Sequence, residues 1–90
     1  MEDAVRSILG SKWALEILAL LAEQKSLNYT EIEEEFPSSS DVITKRLRTL
    51  SEVGLVNRAE RSARNVQYSI TDNGEEVLRL TREISTYLDD

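Results

Sequence analysis

The stretch Ser38-Ser39-Ser40-Asp41-Val42-Ile43-Thr44-Lys45-Arg46-Leu47-Arg48-Thr49-Leu50-Ser51-Glu52-Val53-Gly54 decides how the chain folds. The serines offer N-caps, because a hydroxyl can accept from the free N–H groups of a first helical turn. Gly54 stands where a helix ends in a left-handed residue that glycine adopts without strain. Between these signals Ile43, Leu47 and Leu50 recur at helical spacing and line one face. Thr44, Lys45 and Arg48 line another, with Asp41 at its start. The pattern predicts a helix over about 39–53, apolar inward and basic outward.

Upstream, Asn28-Tyr29-Thr30-Glu31-Ile32-Glu33-Glu34-Glu35-Phe36-Pro37 predicts a helix of about two turns. Thr30 and Glu33 have capping-box spacing, Ile32 and Phe36 form an i,i+4 apolar pair, and Pro37 marks the end. A short helix, a tight turn and a basic amphipathic helix read as a helix-turn-helix. Ser26 to Asn28 is a candidate short strand. Further upstream, Ser11 is the expected N-cap of a helix through Ala22, with Trp13, Ile17, Leu20 and Leu21 on one face and Leu15 and Leu18 widening it. Asp3 to Leu9 predicts another short helix, ending near Gly10.

Downstream the period changes from helical to two. Leu55 to Arg61 and Asn65 to Ile70 read as strands, the second alternating at Val66, Tyr68 and Ile70. Ser62-Ala63-Arg64-Asn65 is turn-like, so a β-hairpin wing is expected over about 57–69 with Arg64 at its tip. Asp72 and Glu75 have capping-box spacing at the start of a last helix. Its stripe of Val77, Leu80, Ile84 and Tyr87, broadened by Leu78 and Leu88, either covers the core or pairs with a second subunit. A small three-helix core has limited room for so many apolar side chains, which favours pairing. The fold class expected is α+β, mainly α: a winged helix-turn-helix forming one domain over 1–90.

Composition bounds the chemistry. With 40% hydrophobic and 31% charged residues the sequence is that of a soluble globular domain, and three glycines with one proline argue against long loops. There is no cysteine and no histidine. Disulfides, a thiol switch and histidine-based acid–base catalysis are therefore absent from these 90 residues. Glu31, Glu33, Glu34 and Glu35 read as a solvated face rather than a metal site, and no metal, cofactor or enzymatic activity is expected. No nucleophile–base pair or glycine-rich phosphate loop is present. Met1-Glu2-Asp3 is acidic where a secretory segment would be basic, and the longest apolar run, Ile17 to Ala22, is far short of the roughly 20 residues a membrane span needs. A cytoplasmic location follows as an expectation.

The net charge is −6, yet it is segregated. Residues 38–70 hold six basic side chains (Lys45, Arg46, Arg48, Arg58, Arg61, Arg64) against three acidic ones (Asp41, Glu52, Glu60), a net of +3. The rest of the chain is −9. Such segregation can present a positive field on one surface of an acidic protein.

The chain resembles the HxlR group of winged helix-turn-helix regulators, relatives of the MarR and PadR types, over roughly Ile8 to Leu80. Leu9-Gly10-Ser11-Lys12-Trp13 resembles that group's Leu-Gly-Gly-Lys-Trp opening. Asn28-Tyr29-Thr30-Glu31-Ile32 fits its aromatic, small polar cap and aliphatic. Leu47-Arg48-Thr49-Leu50 with Gly54-Leu55-Val56, and Tyr68-Ser69-Ile70-Thr71-Asp72-Asn73-Gly74, resemble its later segments. The resemblance implies a homodimer held by terminal helices that binds operator DNA with the third core helix and the wing. The chain departs from the group in lacking a cysteine near its start, in a compact wing, in Asn28 where a basic residue is common, and in its acidic Glu33-Glu34-Glu35 run.

The candidate DNA-binding residues are Ser39, Ser40, Thr44, Lys45 and Arg48 on the recognition helix, and Arg61 and Arg64 on the wing, with Arg58 beside them. Arg48 is placed either to pair with guanine in the major groove or to contact phosphate. Arg46 is expected to turn away from this face. Trp13 and Tyr68 are assigned to packing. The candidate dimer interface is Val5, Ile8, Val77, Leu80, Ile84, Tyr87 and Leu88. The expected partner is double-stranded DNA, with no membrane. The alternative is a winged-helix module that binds another protein, motivated by the acidic surplus outside residues 38–70.

Overall fold

The computed structural model describes residues 3–88. Met1, Glu2, Asp89 and Asp90, the ends of the expected domain and most of its acidic opening, lie outside the described residues. In chain order the elements are α1 (Asp3–Leu9), α2 (Ala14–Gln24), β1 (Ser26–Asn28), α3 (Tyr29–Glu33), α4 (Ser40–Glu52), β2 (Val56–Ser62), β3 (Asn65–Ile70) and α5 (Asp72–Leu88). The fold is α+β and mainly helical, with a wing, as the sequence predicts. The wing's strands do not stand alone: β3 lies between β1 and β2 in a three-stranded antiparallel sheet. Leu27 pairs with Tyr68 on one side, and Arg58 pairs with Tyr68 on the other.

The core forms where three helices meet. Ile17, Leu18 and Leu21 of α2 pack with Ile32 of α3 and with Ile43, Leu47 and Leu50 of α4, and all seven are at most 2% exposed. Each such aliphatic side chain taken out of water contributes roughly 1.5–3 kcal/mol of favourable transfer energy before ordering costs. The inward face of α4 is the one its sequence specifies. Leu18 is fully buried and Leu20 only half, so the buried face of α2 is turned from the expected one.

The end of α4 is a Schellman turn. Gly54 has φ +82°, its N–H donates to the Ser51 carbonyl at 3.2 Å, and the Leu55 N–H donates to the Leu50 carbonyl at 2.9 Å. Leu55 then enters the core beside Leu50. Thr71 joins this turn to α5. Its N–H donates to the Leu55 carbonyl at 3.0 Å, and its hydroxyl donates to the Gly54 carbonyl at 2.7 Å while accepting from the Gly74 N–H at 3.0 Å. A side chain at Gly74 would meet the Leu55 carbonyl oxygen at 2.2 Å, so only glycine admits this close approach.

Three helix starts differ from expectation. Thr71, not Asp72, caps α5. Asn28, not Thr30, caps α3: its side chain accepts from the Glu31 N–H at 2.8 Å, and the Glu31 carboxylate accepts from the Asn28 N–H at 2.8 Å. Asn28 and Thr30 each have a glutamate three residues on, and pairing of Ser26–Asn28 with β3 holds the chain extended until Asn28. Ser11 does not cap α2, which starts at Ala14 after Trp13 in a left-handed backbone, φ +72°. Glycine is the usual residue there, and a non-glycine residue held in this region costs of order 1–3 kcal/mol.

Candidate nucleic-acid interface

The outward face of α4 carries Ser40, Asp41, Thr44, Lys45 and Arg48, all exposed. Ser39 is the N-cap, with its hydroxyl 3.4 Å from the Val42 N–H it accepts from. Lys45 and Arg48, three residues apart, share this face and form no salt bridge among the described residues. The helix therefore presents two cations to solvent, over a core that fixes its position.

Not every candidate is equally available. Ser40 and Thr44 belong to a polar cluster with α3. The Ser40 hydroxyl donates to the Glu33 carboxylate. The Tyr29 hydroxyl donates to the Ser40 carbonyl at 3.0 Å and accepts from the Thr44 hydroxyl at 3.1 Å. Glu33 is half-buried, so its reading as a freely solvated acid is corrected; Glu31 likewise belongs to the capping box of α3. Tyr29 and Glu33 face α4 because they sit one helical turn apart on α3. No pattern local to either helix signals their contact with Ser40.

The wing carries Arg61 and Arg64, both exposed and outside any salt bridge among the described residues. Ser62 pairs with Asn65, leaving Ala63 and Arg64 as the tip, and Arg61 is the extra residue of a bulge between Glu60 and Ser62. A bulge bends its strand and re-aims the side chain it carries. Arg58 is differently placed. Its guanidinium lies 3.2 Å from the Glu60 carboxylate, and the neighbouring Tyr68 and Glu60 side chains raise its pKa above the ordinary value. Its charge is largely answered within the sheet.

Away from this surface lies an apolar one. Val5 and Leu9 of α1, Val53 after α4, and Leu80 and Ile84 of α5 are each between 37% and 47% exposed, and Tyr87 and Leu88 are 85% and 76% exposed. With Ile8, Leu55, Val77 and Thr81 the first five line a groove of about 270 Å³. Ile8 is only 5% exposed and belongs to the core of the chain, and Val77 is half-buried, so these two reach the groove only at their edges.

The described residues contain no group of histidine, cysteine or carboxylate side chains arranged to hold a metal, and no helix long and apolar enough to cross a membrane. A helix-turn-helix with a basic outward helix, followed by a β-hairpin with arginines at its end, defines a winged helix-turn-helix protein of the transcription-regulator type. The chain belongs to the HxlR-like helix-turn-helix family, whose profile matches residues 8–90. It is 31% identical over 81 residues to the uncharacterized HTH-type transcriptional regulator YdzF of Bacillus subtilis, covering 87% of this chain and 74% of that one. It superposes with a TM-score of 0.78 on a possible HxlR family transcriptional factor from Thermoplasma volcanium, at 26% identity over 99% of this chain and 84% of that one. The reduced form of the transcriptional regulator YodB from B. subtilis has the same fold, with a TM-score of 0.82 at 24% identity, covering 97% of this chain and 87% of that one.

Proposed function

We propose that this regulator binds double-stranded DNA sequence-specifically as a homodimer, with α4 in the major groove and the wing on flanking DNA. The observation that carries the reading is the unpaired Lys45–Arg48 face of α4, rigidly seated on Ile43, Leu47 and Leu50. Arg48 is assigned to base edges, Lys45 to phosphate or base, and Arg61 and Arg64 to phosphates or the minor groove. Ser39 and Ser40 lie at the N-terminal end of α4, where backbone N–H groups favour a phosphate. The acidic remainder of the chain orients the molecule by repelling DNA from every surface but this one.

Dimerisation is assigned to the α1–α5 face. Leu80, Ile84, Tyr87 and Leu88 contribute little to the core of their own chain while presenting apolar area to water. The same patch on two copies is self-complementary under a two-fold axis, which would place two α4 helices on successive turns of a duplex.

Fluorescence anisotropy with a duplex from upstream of the chain's own coding sequence, set against a scrambled duplex, tests the function. Preference for the upstream duplex, reduced by Arg48→Ala and Arg64→Ala, is the expected result. Absence of binding to either duplex at low salt contradicts it and directs attention to a protein partner.

A further inference from the structure

We propose that Arg46 is a positioning residue for DNA recognition: it holds α4 in its reading orientation by gripping the backbone of the α1–α2 loop. The inference rests on the DNA-binding reading of α4. Arg46 projects from α4 between the core face and the Lys45–Arg48 face, and is half-buried. Its Nε–H donates to the Lys12 carbonyl at 2.8 Å, across 34 residues of sequence. No salt bridge engages it among the described residues. Its Nε–H is therefore engaged by a neutral backbone oxygen.

The segment it grips is one that needs holding. Trp13, next to Lys12, has φ +72°, a conformation that bulky residues rarely adopt. Its indole N–H is buried with no acceptor among the described residues. A loop with both features persists only when its surroundings over-determine it. Among the contacts that constrain it, two come from the helix-turn-helix region. The Phe36 ring, just past α3, lies 5.3 Å from the Trp13 ring, and Arg46 of α4 takes the Lys12 carbonyl. The loop thus bridges the two helices from behind, and its upstream end is α1, whose Val5 and Leu9 line the apolar groove. Arg46 adds a polar tie to the core contacts of Ile43, Leu47 and Leu50, and so bears on the direction in which Lys45 and Arg48 point.

Two neutral variants separate positioning from charge. In Arg46→Gln the side-chain Nε2 lies the same number of bonds from Cα as the arginine Nε, so the donor to Lys12 survives without the cation. Arg46→Met keeps similar length with neither donor nor charge. Binding to the upstream duplex is measured for both across salt, alongside wild type. The expected result is a loss of about tenfold for Arg46→Met and less than about threefold for Arg46→Gln. The salt slope should be unchanged in both. Trp13 is the sole tryptophan. Its emission in the folded protein without DNA should shift in Arg46→Met and stay in Arg46→Gln. Equal losses in both variants with a slope reduced by about 0.9 per protomer would identify a phosphate contact and overturn the proposal. Wild-type affinity in Arg46→Met overturns it too. If Arg46→Met does not fold, Arg46→Gln decides, since loss of affinity there contradicts the proposal and retention supports it. Failure of wild type to bind any duplex defeats the DNA-binding reading itself, and this inference with it.

Discussion

Helices α4 and α5 are both strongly amphipathic, yet they use their faces in opposite ways. On α4 the apolar side chains Ile43, Leu47 and Leu50 are fully or almost fully buried, and what remains outside is mainly charged or polar. On α5 only Gly74 and Leu78 are buried, and Leu80, Ile84, Tyr87 and Leu88 are left outside. Leu55, Val56 and Leu78 join the core of one chain beyond α4, and that core is saturated before α5 ends. The outward side chains of α4 include the cations Lys45 and Arg48, whereas α5 leaves an aliphatic stripe outside beside its charged side chains.

The largest expected effect comes from cutting into the completed side of this contrast. Leu50→Ala should lower unfolding free energy by about 2–5 kcal/mol, independent of protein concentration. Ile84→Ala should cost the single chain less than about 1 kcal/mol, with its effect appearing in the concentration dependence of Tm. Chemical denaturation at two protein concentrations separates them, and equal losses would mean that α5 is as much a core helix as α4.

A charge on the exposed stripe sharpens the contrast. Leu80→Glu should weaken dimerisation by about a hundredfold or more, because an unpaired carboxylate would be buried at the interface. Sedimentation velocity should show a folded monomer, and an unchanged mass would remove Leu80 from the interface. On the α4 side, Arg48→Ala should cost about 1–3 kcal/mol of DNA binding. Discrimination between upstream and scrambled duplexes should fall with it. Uniform weakening on both duplexes would instead make Arg48 a phosphate contact.

The smallest effect belongs to the solvent side of α5. Glu76 accepts a hydrogen bond from Arg79, which also lies 3.3 Å from Glu83, and this bond lowers the Glu76 pKa below its ordinary 4.5. A depressed carboxylate pKa contributes stability that is fully present above the ordinary value and is lost as pH falls through the depressed one. Both side chains are more than half exposed, so solvent screens the pair and the contribution is small. Thermal melts between pH 6 and pH 3, compared with Arg79→Ala, should show a slightly weaker acid dependence in the variant.

The same division governs what could be read from the sequence. The bounds of α4, its Gly54 stop, the wing and α5 were legible because each is signalled by neighbours in sequence. The local patterns could not rank Asn28 against Thr30 as a cap, because the choice is made by the pairing of Ser26–Asn28 with β3, some 40 residues away. Ser11 looked like a cap because nothing local announces a tryptophan in a left-handed backbone; Phe36 and Arg46 hold it from elsewhere in the fold. Glu33 read as solvated for the same reason: its partner Ser40 lies across the turn, on another helix. Of the candidate DNA-binding residues, Lys45, Arg48, Arg61 and Arg64 stand exposed as expected, while Ser40 and Thr44 are already engaged with α3.

On the proposed function, this net −6 chain meets a duplex with a local cationic surface on α4 and the wing. The most direct test is the salt dependence of wild-type affinity for the upstream duplex. With about 5–8 phosphates neutralised by a dimer, log affinity should fall against log salt with a slope of about −4 to −7. A slope near zero, at any affinity, would contradict an electrostatic DNA interface built from Lys45, Arg48, Arg61 and Arg64.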